Sequence, residues 1–359
     1  MKVLIAAGGT GGHIYPGIAV AKEIMRRDET SQVLFVGTAH GLETRIVPEN
    51  GFQLSVISSS GLKNMGFAGT VKGLTLLPKG FLESSRLLRE FMPDVVVGAG
   101  GYVSGPVVMM ASLRGIPTMV MDSNALPGFT NRRLAMFVDK AALTFAEALP
   151  FFGKKGVVTG NPVRKEFFEI VEPESSEKVK LLIFGGSQGA RAINDAMIEA
   201  LPRIGLGADN LQITHQTGDS EFERIREAYE RAGWQAADVR PYISDMVSEF
   251  ATSDLIISRA GATTCAELSA AGKASIMIPL PTAADDHQRK NAEAMQKTGA
   301  SRMILQKDLT GEVLAKEISD LIAQPDTITT MERAAKQMAR SDAAEATVDL
   351  IESLVRKRR

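Results

Sequence analysis

Residues 2–24 read KVLIAAGGTGGHIYPGIAVAKEI, an apolar run that empties into Gly8, Gly9, Thr10, Gly11 and Gly12 and then His13. Glycines at the end of a strand let backbone come close to a ligand, and the helix start that follows presents N–H groups and a positive dipole end to an anion. His13 stands inside this loop, where no core packing calls for an imidazole. An imidazole titrates near neutral pH and suits proton abstraction. A second loop, GGSQGA at 185–190, offers Ser187 and Gln188 in the matching place, and GAGGYVSGP at 98–106 makes a third glycine-rich turn. One such loop is equally well a tight turn and nothing more. Three of them favour a ligand. In SRAGATTCAEL (258–268), Thr263 and Thr264 either cap a helix or donate to a phosphate. Glu267, one turn further in, is either a solvated charge or a carboxylate able to accept both hydroxyls of a ribose.

Several chemistries are excluded. The dinucleotide fingerprint G-x-G-x-x-G, counted from Gly9, puts Ile14 at its last glycine, and the second strand ends LFVGT without an acid. Neither loop ends in Gly-Lys-Ser/Thr, so a Walker-type phosphate site fails as well. The four histidines, His13, His40, His215 and His287, show no metal-ligand spacing, and no D-x-D occurs. No metal or dinucleotide cofactor is therefore expected.

Short apolar runs alternating with amphipathic stretches must position these groups. Strands are expected at Lys2–Ala7, Gln32–Val36, Gln53–Ser58, Asp94–Gly98, Pro117–Met121 and Ala141–Phe145, with helices over 16–27, 41–50, 69–91, 104–114 and 127–136. A second series opens at KVKLLIFGGSQGARAINDAM (178–197) and continues with strands near 211–217, 254–258 and 274–279. Both series begin alike: strand, glycine pair, glycine, helix. The alternation predicts two α/β domains with doubly wound parallel sheets, joined around 160–180, and a ligand cleft between them.

The composition is that of a soluble globular chain of 359 residues, 44% hydrophobic and 23% charged, with net charge −1. Residues 1–160 carry 16 Lys and Arg against 11 Asp and Glu, and the remainder 25 against 31. A basic first half suits an anionic surface. The excess is modest and lacks the aromatic-rich basic strand of a nucleic-acid binder, so no nucleic-acid partner is expected. Cys265 stands alone, which excludes an internal disulfide and fits a reducing compartment. Neither a signal peptide nor a membrane-spanning run is evident.

The ordered motifs GGTGGHIYPGIAVA, GGYVSGPVVMMA, NALPGFTNR, GNPVR, GGSQGA, SRAGATTCAEL and DDHQRKNA span the chain from its first strand to residue 292. Together they closely resemble the bacterial peptidoglycan N-acetylglucosaminyltransferases that convert lipid I to lipid II. The resemblance implies a GT-B fold of two Rossmann-like domains, 1–162 on the acceptor and membrane side and 163–340 for the donor, with 341–359 a helix returning to the first. It implies inverting, metal-independent transfer of GlcNAc from UDP-GlcNAc to the 4-hydroxyl of undecaprenyl-pyrophosphoryl-MurNAc-pentapeptide, at the cytoplasmic face of the plasma membrane. By the same matching, Thr10, Gly11 and Gly12 face donor sugar and acceptor pyrophosphate, and His13 is the candidate base. Asn124 lies near the GlcNAc, Arg164 is the arginine of GNPVR, and Ser187 and Gln188 contact the donor. The backbone of Ile243 reads uracil, and Ala262, Thr263 and Thr264 form the turn around the phosphates. Glu267 takes the ribose and Gln288 a sugar hydroxyl. The family commonly has Glu-Gln-Asn where this chain has Asp122-Ser123-Asn124, which puts the support of Asn124 in question.

A lipid-linked acceptor requires contact with a bilayer. Leu74, Leu76, Leu77, Phe81 and Leu82 among Lys63, Lys72, Lys79, Arg86 and Arg89 read as an interfacial patch for anionic lipid, or else as a core-facing helix with ordinary surface charges. The resemblance leaves cell-wall and division proteins open as partners. The rival readings are another UDP-sugar enzyme of the same fold, such as a glycolipid glycosyltransferase or a UDP-GlcNAc 2-epimerase, and a catalytically silent nucleotide-sugar-binding scaffold.

Overall fold

The computed structural model describes residues 1–59, 67–171, 178–205 and 210–358, with side chains for all of these except 67–77 and 358. The chain divides into two units, Met1–Val163 with Arg340–Arg359, and Arg164–Ala339.

The first unit holds β1 (Lys2–Ala7), β2 (Gln32–Gly37), β3 (Gln53–Val56), β4 (Val95–Gly100), β5 (Thr118–Asp122), β6 (Lys140–Leu143) and β7 (Gly156–Val158). They form one parallel sheet in the order β3-β2-β1-β4-β5-β6-β7. β1 pairs on one side with β2 (Val3 opposite Val33) and on the other with β4 (Val3 opposite Val95), so the connection reverses direction at β1. Its residues are apolar at consecutive positions because both faces are covered. Val3, Ile5 and Ala7 face one core with Ile14, Ile18, Ile24, Val348 and Ile351. Leu4 and Ala6 face the other with Val103, Val107, Leu134 and Leu143.

The second unit repeats the plan with β8 (Val179–Phe184), β9 (Leu211–Gln216), β10 (Asp238–Arg240), β11 (Leu255–Ser258), β12 (Ser275–Met277) and β13 (Ser301–Met303). Their parallel order is β10-β9-β8-β11-β12-β13. Here too the first strand of the series is where the order reverses. In open sheets of this kind, ligands bind outside the carboxyl ends of the strands at that point.

Three short strands, β7, β10 and β13, carry no signal in the sequence reading. Each is three residues long and sits at a sheet edge, where burial is incomplete and an apolar run is not required. The first helix also starts earlier than the pattern suggests, at Gly11 rather than residue 16. Pro16 lies inside it and removes only one intrahelical bond, that to the Gly12 carbonyl. His13 therefore sits in the first helical turn, not in a free loop.

The last helix, Ala343–Arg358, packs on Gly11–Arg27. Arg27 links the two, donating to Asp349 (2.6 Å), Glu352 (3.2 Å) and the Glu345 carbonyl (3.0 Å), and also to buried Glu23 (2.8 Å). The Arg26 bond, together with that of Arg27, holds the Glu23 carboxyl down at about 2 despite its burial. Among the described residues no helix is long and apolar enough to cross a membrane.

Candidate active site

In the first unit the turns after β1, β4 and β5 converge on His13. Its Nδ1 lies 3.1 Å from the Gly8 carbonyl. A carbonyl only accepts, so Nδ1 carries the proton and Nε2 is the basic nitrogen of the neutral ring. Gly100, at φ +120°, leaves room for the imidazole, and any Cβ there would run into it. Gly101 is equally obligatory, because a Cβ would strike the Gly8 carbonyl. Ser104 Oγ fastens the third turn, lying within 3.0 Å of the Ala6 carbonyl and 2.9 Å of the Gly100 carbonyl.

Two buried acids organise these turns: Glu43, to which the motif reading gave no role, and Asp122. Glu43 is fully buried and accepts from Gly9 N–H (3.1 Å), Thr38 N–H (2.8 Å) and the Thr38 hydroxyl (2.8 Å). Burial pushes its carboxyl up, but the bonds from Thr38 and Gly9 outweigh that, and it stays below its ordinary value. Gly37 and Gly41 leave the space it occupies. Asp122 accepts from Asn124 N–H (3.0 Å), Gly128 N–H (3.0 Å) and Asn131 Nδ2 (2.9 Å). Burial raises its carboxyl above the ordinary value, against the pull of these bonds and of the neighbouring His13. The shortened acid thus still braces the turn that carries Asn124. Ser123 supplies a tie of its own, from Oγ to Asn161 Oδ1 at 3.1 Å.

Three helices begin at the carboxyl ends of the central strands without a side-chain cap: Gly11–Arg27 after Thr10, Arg191–Ala200 after Ala190, and Ala262–Ala271 after Gly261. His13 N–H and Ile193 N–H bond back to the Thr10 and Ala190 carbonyls, so the N–H groups of the first two residues of each helix are those such a terminus offers to an anion. Thr10, Ser187 and Gln188 are exposed at these termini, and Gly11, Gly12, Ala262, Thr263 and Thr264 are half-buried. Thr263 and Thr264 lie within the helix and do not cap it.

Within the second unit, Arg164 stacks on Phe167 with its guanidinium carbon 4.9 Å from the ring centroid. It acts electrostatically on Glu267, whose carboxyl burial lifts to about 7 against the pull of Arg164. Gln288 Oε1 accepts from Leu280 N–H (3.0 Å), which orients its amide nitrogen as the remaining donor. The turn before it is held by Asp285 and Asp286, both at positive φ (54° and 56°). Such conformations in residues other than glycine gather at functional sites. Ile243 is buried, and its N–H donates to Gln216 Oε1 at 2.7 Å. Sequence reasoning passed over Gln216, Glu43 and Ser104, whose types are ordinary and whose partners are distant in the chain.

Of the surface patch, the side chains of Lys72, Leu74, Leu76 and Leu77 lie outside the described residues, as does Lys63. Phe81 is half-buried, while Lys79 and Leu82 are exposed. Lys79, Leu82, Arg86 and Arg89 follow at helical spacing along one exposed face of the Phe67–Phe91 helix, whose other side buries Ser84 and Leu88. Among the described residues no three His, Cys, Asp or Glu gather as a metal site would require.

Comparison with known proteins extends over the whole chain. Residues 3–143 match the glycosyltransferase family 28 N-terminal domain and residues 180–347 its C-terminal domain. A protein of Geotalea uraniireducens, a UDP-N-acetylglucosamine–N-acetylmuramyl-(pentapeptide) pyrophosphoryl-undecaprenol N-acetylglucosamine transferase, is 47% identical over 355 residues, 97% of each chain. Among solved structures, that of MurG from Acinetobacter baumannii superposes with a TM-score of 0.83 at 32% identity, over 98% of this chain and 99% of the other. A UDP-N-acetylglucosamine 2-epimerase structure from Listeria monocytogenes reaches 0.71 at 15% identity, over 99% and 97%. That last likeness shows the fold alone.

Proposed function

The chain belongs to glycosyltransferase family 28, among the N-acetylglucosamine transferases that act on undecaprenyl-pyrophosphoryl N-acetylmuramyl-pentapeptide, and from that premise we infer its reaction and the residues that perform it. It transfers GlcNAc from UDP-GlcNAc to lipid I, giving lipid II for peptidoglycan. The observation that carries this is identity near one half across both units, where the 2-epimerase shares only the fold.

The second unit takes the donor and the first the acceptor. His13 Nε2 removes the proton of the muramyl 4-hydroxyl. The oxygen forms its bond to the anomeric carbon from the face opposite UDP, and the bond between that carbon and the diphosphate oxygen breaks. The configuration inverts, UDP leaves with the electron pair, and the imidazolium returns its proton to solvent. Thr10, Gly11 and Gly12 meet sugar and acceptor pyrophosphate, with Asn124 beside the GlcNAc. Negative charge growing on UDP is met by the uncapped helix starts near Ser187–Gln188 and Ala262–Thr264, assisted by Arg164. Preorganised donors of this kind supply stabilisation without a metal ion. Glu267 accepts the ribose hydroxyls, Gln288 donates to a sugar hydroxyl, and the Ile243 carbonyl reads the uracil N3–H.

UDP release from UDP-GlcNAc, followed with and without a soluble lipid I analogue and with EDTA, tests this reading. Acceptor-dependent, EDTA-resistant release with a β-1,4-linked disaccharide is expected. Tight binding of UDP-GlcNAc with no release would leave a silent binding protein.

We propose that the exposed face of Lys79, Leu82, Arg86 and Arg89 lies against anionic lipid at the cytoplasmic surface of the membrane. Lys79→Glu with Leu82→Glu is expected to reduce cosedimentation with anionic vesicles at least threefold. Undiminished binding by a folded double variant would remove this face from the interface.

A further inference from the structure

Gln216 ends β9 and is 2% exposed, yet both ends of its amide are engaged with backbone from two different turns. Nε2 donates to the Gly186 carbonyl at 2.9 Å, in the glycine turn after β8. Oε1 accepts from Ile243 N–H at 2.7 Å, in the segment after β10. These two contacts leave no ambiguity about which way the amide faces, since a carbonyl cannot donate and an N–H cannot accept.

The surroundings are built to keep it there. Thr217 N–H donates to the Arg240 carbonyl (3.0 Å) and Gly218 N–H to the Pro241 carbonyl (3.1 Å). Gly189 and Gly218, both at positive φ, let the two turns touch, because a Cβ on either would collide with the opposite backbone. Beneath them Asn194 Nδ2 donates to the Thr217 carbonyl (3.0 Å), and its Oδ1 accepts from His215 Nε2 (3.1 Å). His215 Nδ1 then accepts the Tyr229 hydroxyl (3.0 Å). Burial pushes the His215 imidazole down to about 3, so this support stays neutral across the working pH range.

We propose that Gln216 is a positioning residue for the nucleotide, setting the diphosphate-binding turn 185–190 and the base-reading backbone at Ile243 in one fixed relation. The proposal rests on the donor assignment above. Ile243 N–H is spent on Gln216, and no described residue donates to the Ile243 carbonyl. A carbonyl accepts from the N3–H of uracil and is mismatched with cytosine, whose N3 also accepts. Anchoring Ile243 through its N–H limits where its own carbonyl can point and therefore bears on base choice, and holding Gly186 bears on the diphosphate.

The two ends can be separated by measuring the affinities of UDP, CDP and uridine calorimetrically. Gln216→Met loses both contacts and is expected to weaken UDP about tenfold and to narrow the UDP/CDP ratio. The KM for UDP-GlcNAc should rise with it, while kcat at saturating donor changes less than threefold. Gln216→Glu keeps an acceptor for Ile243 but cannot donate to Gly186. It should preserve the UDP/CDP ratio and lose most of the advantage of UDP over uridine. An unchanged UDP/CDP ratio in folded Gln216→Met, or an undiminished advantage of UDP over uridine in folded Gln216→Glu, would overturn the proposal, and so would failure of both variants to fold, which would make Gln216 a residue of stability alone. Wild-type protein that binds none of the three ligands would overturn the donor assignment instead.

Discussion

His13→Ala is expected to lower kcat about a hundred- to ten-thousand-fold, the range found for a positioned general base. The dissociation constant of UDP-GlcNAc should stay within about twofold, because the groups proposed to hold the UDP moiety, Arg164, Ser187, Gln188, Ile243 and Glu267, are untouched by the change. The size of the effect follows from how fully the ring is specified. Nδ1–H is committed to the Gly8 carbonyl, which leaves Nε2 as the nitrogen able to take a proton. The ring rests where Gly100 has no side chain, and the Asp122 carboxyl lies near enough to interact electrostatically with the imidazolium that proton transfer creates. Single-turnover rates at saturating donor and acceptor measure the chemical step directly. A rate within tenfold of wild type would give the proton to another acceptor.

The second large effect concerns Glu267 and is read through pH. Burial lifts its carboxyl to about 7, so near neutrality the side chain divides between its two forms. Only the carboxylate accepts strongly from two ribose hydroxyls, and hydrogen bonds to a charged group contribute about 1.5–3 kcal/mol each. Being an acid, it loses its charge as pH falls through that value. Affinity for UDP-GlcNAc, whose diphosphate stays ionised throughout, should therefore drop about tenfold between pH 8 and pH 6. Glu267→Ala should weaken binding about a hundredfold at pH 8, and Glu267→Gln should bind weakly without a slope. A slope that persists in the glutamine variant would assign the titration to a different group.

Much of the framework is written in local pattern. The apolar runs KVLIAA and VKLLIF are continuous because β1 and β8 are covered on both faces, and a single chain segment is enough to reveal that. The glycine turns are equally legible, since positive φ at Gly9, Gly186 and Gly189 is a demand each position makes on its own backbone. Edge strands escape because three half-buried residues leave no periodicity, as in Asp238–Arg240. The start of the first helix is misplaced because proline is tolerated one turn inside a helix that glycines have already begun.

By itself, then, the sequence determined two α/β units, their opening turns and the residue types gathered there. Only the tertiary structure decided which nitrogen of His13 is basic, that Asp122 with Ser123 still braces the Asn124 turn, and that Gln216 joins Gly186 to Ile243. Of these, the contacts Gln216–Ile243, Gln216–Gly186 and Ser123–Asn161 join residues 27 to 38 positions apart. Periodicity and turn chemistry act over a few residues. Which turns become neighbours is set by strand order, which no single stretch of chain contains.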